Sequence, residues 1–191
     1  MNTAERLIAA AADLLDAGGD AAVTLRAVGS AVGVSHNAPY KHFASRDELL
    51  AAVANADFHA LADEWRKVRA SDREPEQRLL DALDVAVRFS RDHPARYRLL
   101  FNRPDIAGLG ESLARTADEA LGEFGAIVAD GQATGLLPAT DGNELAILLF
   151  ATAHGLIDAE ASGRILPKTG WPEIGTGLQI LIRLLAGGAR S

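Results

Sequence analysis

Apolar residues recur along this chain at intervals of three and four, and apolar and polar positions nowhere alternate for long. That period fits amphipathic helices and not half-buried strands, so the expected fold is all-α, in about nine helices. Helix 1 is expected over about residues 4–17, with Leu7, Ala11, Leu14 and Leu15 on one face and Gly18-Gly19 as its stop. Thr24 is the expected N-cap of a short helix 2 with the stripe Leu25, Val28 and Val32; Gly33 ends it, and Ser35 caps helix 3. Ser45 and Glu48 have the spacing of a capping box and open helix 4. Its apolar positions, Leu49, Leu50, Val53, Phe58, Leu61, Trp65 and Val68, mark a helix of about 25 residues and about 37 Å, long enough to bridge two parts of a protein.

Helices 5 and 6 are expected over 75–92 and 94–101, and helix 7 over 111–134. Helix 8 spans 142–162, opened by the pair Asp141 and Glu144. Helix 9 spans 172–185, with Ile174, Leu178, Leu181 and Leu185 in register. The connecting stretches "NRPDIAGLG" and "GRILPKTGWP" read as loops punctuated by glycine and proline.

Composition narrows the partners. In 191 residues the hydrophobic fraction of 48% suffices for a sizeable core. There is no cysteine, which excludes disulfides and thiolate zinc sites. The start, "MNTAERLIAA", lacks the basic cap and apolar core of a signal peptide, and no apolar run is long enough to span a membrane. A cytoplasmic protein with no membrane contact is therefore expected. The net charge of −7 argues against broad binding to nucleic acid. Locally the balance reverses: from Thr24 to Arg46 there is no Asp or Glu, while Arg26, Lys41 and Arg46 are basic. An acid-free window in an acidic chain points to an anionic partner.

The stretch "GVSHNAPYKHF", Gly33 to Phe43, lies inside that window. Helix 2, Gly33 and helix 3 have the form of a helix-turn-helix. Its close crossing needs a small residue four before the turn glycine, which is Gly29, and the turn needs a residue tolerant of positive φ, which is Gly33. Val34 anchors the turn, and Pro39 and Phe43 form the buried side of helix 3. With Ser35 as N-cap, Pro39 falls at the end of the first turn, where its missing N–H is tolerated. Ser35, His36 and Asn37 then stand at the helix N-terminus, where base edges are read from the major groove. Tyr40, Lys41 and His42 point toward phosphates, with Thr24 and Arg46 beside the N-termini of helices 2 and 4.

With "TLRAVGSAVGVS", then Tyr40-Lys41-His42-Phe43, then "SRDELL", the region resembles the DNA-binding part of the TetR/AcrR family of bacterial transcriptional regulators. The resemblance implies that Thr24, Tyr40, Lys41, His42 and Arg46 contact phosphate and that Ser35, His36, Asn37 and Arg26 contact bases. Two departures stand out: Gly29 replaces the commoner Ala, and Arg46 the commoner Lys. The stretch "LLFATAHGLIDAEASGRI", Leu148 to Ile165, resembles the C-terminal domain of a subgroup named for a Trp-His-Gly pattern; His154 and Gly155 match it, and Phe150 stands in place of the Trp.

The family resemblance implies a DNA-binding domain over 1–48 and an effector-binding and dimerisation domain over 49–191. It further implies a homodimer through helices 8 and 9, a palindromic operator on double-stranded DNA, and a cavity for a small-molecule effector. Tyr97, Phe101, Phe124, Phe150 and His154 are the candidate ligand-binding residues, and their character suits a mostly apolar effector. The expected function is a ligand-responsive repressor. A sequence-tolerant DNA-binding protein without an effector is the alternative, with a helical enzyme further behind. The five histidines form no H-E-x-x-H pair, no nucleophile elbow is present, and no catalytic residue, metal or cofactor is expected.

Overall fold

The computed structural model describes residues 1–103, 111–165 and 173–188, and among these it contains eight α-helices and no strand. The helices are α1 (Thr3–Gly18), α2 (Leu25–Val32), α3 (Arg46–Arg69), α4 (Pro75–Asp92), α5 (Pro94–Phe101), α6 (Glu111–Ala133), α7 (Gly142–Ala161) and α8 (Ile174–Gly188). Two 3₁₀ turns, Asp20–Ala22 and Pro39–Lys41, complete the described elements. The all-α expectation holds, but expected helix 3 is absent as an α-helix. Expected helices 4 to 9 are therefore α3 to α8. Most of the two expected loops, Trp171 and the expected start of helix 9 at Pro172 lie outside the described residues.

Capping sets the helix starts. Asn2 caps α1 by accepting from the Glu5 N–H at 3.0 Å, while the Glu5 carboxylate accepts from the Asn2 N–H at 2.9 Å. Thr24 caps α2 by accepting from the Ala27 N–H at 3.0 Å. Ser45 accepts from the Glu48 N–H at 3.1 Å, as expected, but the Glu48 carboxylate reaches the N–H of Ala44 instead of Ser45. Asp141 accepts from both Asn143 and Glu144 N–H groups at the start of α7.

The chain divides into two compact units, residues 1–59 with 90–118 and residues 60–89 with 119–191. In the first, Leu7, Ala11 and Leu15 of α1, Val28 of α2 and Leu49, Leu50, Val53 and Ala54 of α3 are buried. A charged group lies among them: Asp57 is 2% exposed and takes the Arg96 guanidinium on both carboxylate oxygens. Arg96 also donates to Asp16 at 3.2 Å, and the His93 imidazole lies 2.7 Å from the same Asp16 oxygen. α1, α3 and α5 are thus tied by one ionic cluster. Burial pushes the Asp57 carboxyl above its ordinary range, against the pull of Arg96.

In the second unit, Trp65, Phe124 and Phe150 pack ring to ring at 5.8–6.2 Å, and the Trp65 indole N–H donates to the Ala82 carbonyl at 2.9 Å. Leu79 and Leu83 of α4, Leu149 of α7 and Ile182 of α8 are also buried in this unit. The buried face of α8 is Ile174, Leu178, Ile182 and Ala186. Leu181 and Leu185, expected in that stripe, are only half-buried, because the inward series advances by four residues at each turn.

Candidate nucleic-acid interface

α2 ends where its sequence requires. Gly33 adopts φ 74°, ψ 30°, and the N–H of Val34 returns to the Gly29 carbonyl at 3.0 Å. Arg6 of α1 donates to the Val32 carbonyl at 2.8 Å and so caps the same end from outside. The chain then enters the acid-free stretch.

That stretch is wound more tightly than an α-helix. Pro39 has no N–H to donate to the Ser35 carbonyl, so the Ala38 N–H takes that carbonyl at 2.9 Å in a four-residue turn. Pro39, Tyr40 and Lys41 form a 3₁₀ turn, and His42 and Phe43 both donate to the Pro39 carbonyl at 3.0 Å. Pro39 and Phe43 are buried, as their spacing predicts. The proline is thus the physical reason that expected helix 3 is replaced by a turn and a 3₁₀ segment.

Of the nine residues expected to touch DNA, eight are exposed: Thr24, Arg26, Ser35, His36, Asn37, Tyr40, Lys41 and His42. Tyr40 is 58% exposed. Thr24 shares its hydroxyl with the α2 cap. Arg46 stands apart. It is half-buried, and its guanidinium donates to the Val23 carbonyl at 2.7 Å and to the Asp20 carboxylate at 2.6 Å. Arg103 adds ion pairs to Asp20 at 3.6 Å and Asp47 at 3.0 Å. Asp20, just before the acid-free stretch, is the partner that sequence reading missed. No local spacing links residues 20 and 46; only the fold does.

The five residues expected to bind a ligand fall into two aromatic groups, one in each unit. Tyr97 is buried, with its ring 5.1 Å from Phe101, which lies 5.9 Å from Phe58. Phe124 is fully buried between Trp65 and Phe150, and Phe150 stacks edge-on against His154 at 4.2 Å. Burial lowers the His154 imidazole from 6.5 to about 4, with Asp158 pulling weakly the other way, so the ring is neutral near pH 7. Among the described residues, no group of three or more His, Cys, Asp or Glu is placed to hold a metal, and no helix is long and apolar enough to cross a membrane.

Comparison with known proteins agrees with this geometry. The family model for bacterial regulatory proteins of the tetR family matches residues 7–53, and the tetracyclin repressor-like C-terminal domain matches residues 79–174. Comparison with curated proteins finds no match. Among solved structures, a protein of unknown function from Rhodococcus sp. RHA1 is 23% identical with a TM-score of 0.83, over 98% of this chain and 95% of that one. The fatty acid degradation regulator FadR from Bacillus halodurans is 13% identical, with a TM-score of 0.73 over 97% of this chain and 95% of that one. The TetR family transcriptional regulator PfmR from Thermus thermophilus is 19% identical, with a TM-score of 0.66 over 95% of this chain and 97% of that one. These likenesses extend the shared fold over nearly the whole chain, and with both halves matched by family models the chain belongs to the TetR family, as a DNA-binding transcriptional regulator and not an enzyme.

Proposed function

We propose that this regulator is a repressor that binds a palindromic operator as a homodimer and is released by a small, mostly apolar effector. The observation that carries the DNA part is the acid-free face from Thr24 to His42, where every candidate reader is exposed beside a glycine-closed helix-turn. Ser35, His36, Asn37 and Arg26 read bases in this proposal, and Tyr40, Lys41 and His42 hold phosphates. Arg46 serves first as a clamp on Asp20 and Val23 through Nε and Nη2, which leaves its Nη1 to meet a phosphate.

Dimerisation through α7 and α8 is supported by what those helices leave uncovered. Six large hydrophobic side chains are exposed among the described residues, and four of them, Ile147, Leu148, Ile180 and Leu184, lie on these two helices. Leu148, Ala151 and Gly155 follow one stripe of α7, all exposed, and among the described residues nothing beyond the adjoining backbone of α7 lies within 4 Å of a Cβ built on Gly155. A small-residue stripe flanked by leucines lets a second helix approach closely. A two-fold dimer then matches two operator half-sites.

The effector reading rests on Phe150 and His154. Both are half-buried, as is Phe101 in the other unit, whereas Tyr97 and Phe124 are buried. Effector binding shifts the population toward a DNA-incompetent state only if that state holds the effector more tightly.

The test is selection of bound duplexes from a randomised DNA pool at near-physiological salt. The expected result is an enriched palindrome. Asn37→Ala should then change base preference, while Lys41→Ala weakens all sequences alike. An Asn37→Ala protein with unchanged preference would remove Asn37 from the base readers.

A further inference from the structure

Gly29 is buried in the middle of α2, in an ordinary right-handed conformation. Backbone freedom is therefore not what this position needs, and alanine is the better helix former there. The reason for glycine lies across the turn. A Cβ on Gly29 would stand 2.9 Å from Cγ and 3.3 Å from Cδ of Pro39, and 3.7 Å from the Ser35 carbonyl oxygen. The last is an ordinary contact; the first is not. A flexible side chain could swing aside, but the pyrrolidine ring is closed onto the backbone. Relieving the clash means moving the chain that carries the ring.

That chain is the exposed segment itself. Tyr40 and Lys41 share the 3₁₀ turn with Pro39, His42 and Phe43 donate to its carbonyl, and His36 and Asn37 lie in the turn just before it. We infer that the contact between Gly29 and Pro39 is the positioning device that fixes where the base-reading side chains stand relative to α2, and so sets sequence preference. The inference rests on the reading of Ser35 to His42 as the segment that meets DNA. Gly29 and Pro39 touch no base in it; they act through the residues between and beside them. The pair is also reciprocal. Without the proline ring, a methyl group at position 29 has room, and residue 39 regains an N–H for the Ser35 carbonyl.

The experiment compares Gly29→Ala, Pro39→Ala and the double variant by two readouts. One is the backbone amide NMR spectrum of residues 35–43 in the free protein. The other is affinity for the selected operator and for the same duplex with one base pair changed in each half-site. Gly29→Ala is expected to shift those amides, to weaken operator binding by about tenfold or more, and to change the ratio between the two duplexes. The double variant is expected to return to the behaviour of Pro39→Ala on both readouts. A general loss of fold would lower active protein but leave the ratio alone.

Additive effects of the two substitutions, or Gly29→Ala with unchanged amides and ratio, would overturn the inference. If the parent protein selects no duplex, the DNA reading fails, while the amide shifts still decide whether the pair positions the segment. If Gly29→Ala does not fold, a folded double variant supports the pairing and an unfolded one overturns it.

Discussion

Arg96 holds a buried carboxylate. It faces Asp57, which is almost fully buried, and also contacts Asp16 and His93. A buried pair contributes little net stability over an apolar pair, but half a pair is costly. Arg96→Met should therefore destabilise the protein by about 3–5 kcal/mol, and Asp57→Leu with Arg96→Met should recover most of that loss, both read from urea unfolding. An equal loss in both variants would mean that packing, not charge, makes Arg96 necessary. The sequence carried a sign of this pair. Asp57 follows Val53 and Ala54 at helical spacing, on the stripe that buries Leu50 and Leu61, and a carboxylate there demands a partner.

His154 gives the pH dependence at the same scale. Its folded value, about 4, lies below the ordinary 6.5. The unfolded chain therefore takes up this proton first as pH falls. The contribution to stability is fully present above about 6.5, and is lost as pH falls through about 4. The gap from 6.5 to about 4 corresponds to at most about 3 kcal/mol. His154→Leu should flatten the fall in urea midpoint over that window. If the variant falls as steeply as the parent, other groups carry the acid sensitivity.

At the scale of elements, the helix class and most ends were legible because they depend on neighbours in sequence. Gly33 takes φ 74°, and Thr24 and Ser45 cap the helices that follow them. A β-branched residue at such a φ costs on the order of 1–3 kcal/mol. Gly33→Val should thus break the turn and abolish operator binding while circular dichroism keeps most of its helix signal; parent-like affinity would refute the turn's register. Thr24→Ala should cost about 1 kcal/mol of thermal stability through the lost cap. What local patterns did not give was the winding after Gly33. Spacing alone makes Ser35 a plausible N-cap and Pro39 a tolerated first-turn residue. The outcome turns on where the Ser35 carbonyl goes, and it goes to Ala38. Likewise Arg46 suits a phosphate by type and place, but the fold brings Asp20 to it first.

At the scale of the whole molecule, the two compact units are interleaved in sequence, with α3, α4 and α6 each contributing residues to both. No linear pattern could reveal that partition, because it depends on pairings between distant helices. The exposed apolar face of α7 and α8 belongs to this scale too, since its proposed partner is a second copy of the chain. Leu148 and Leu184 are 56% and 71% exposed, so replacing both with Glu should change the stability of one protomer by no more than about 0.5 kcal/mol each. Between two copies, the same substitutions set carboxylates against an apolar stripe. Leu148→Glu with Leu184→Glu should therefore sediment as a folded monomer and bind a single half-site about as well as before. Its affinity for the full palindrome should fall toward that half-site value, because the second contact is no longer intramolecular. A variant that stays dimeric with full operator affinity would place the subunit interface on another face.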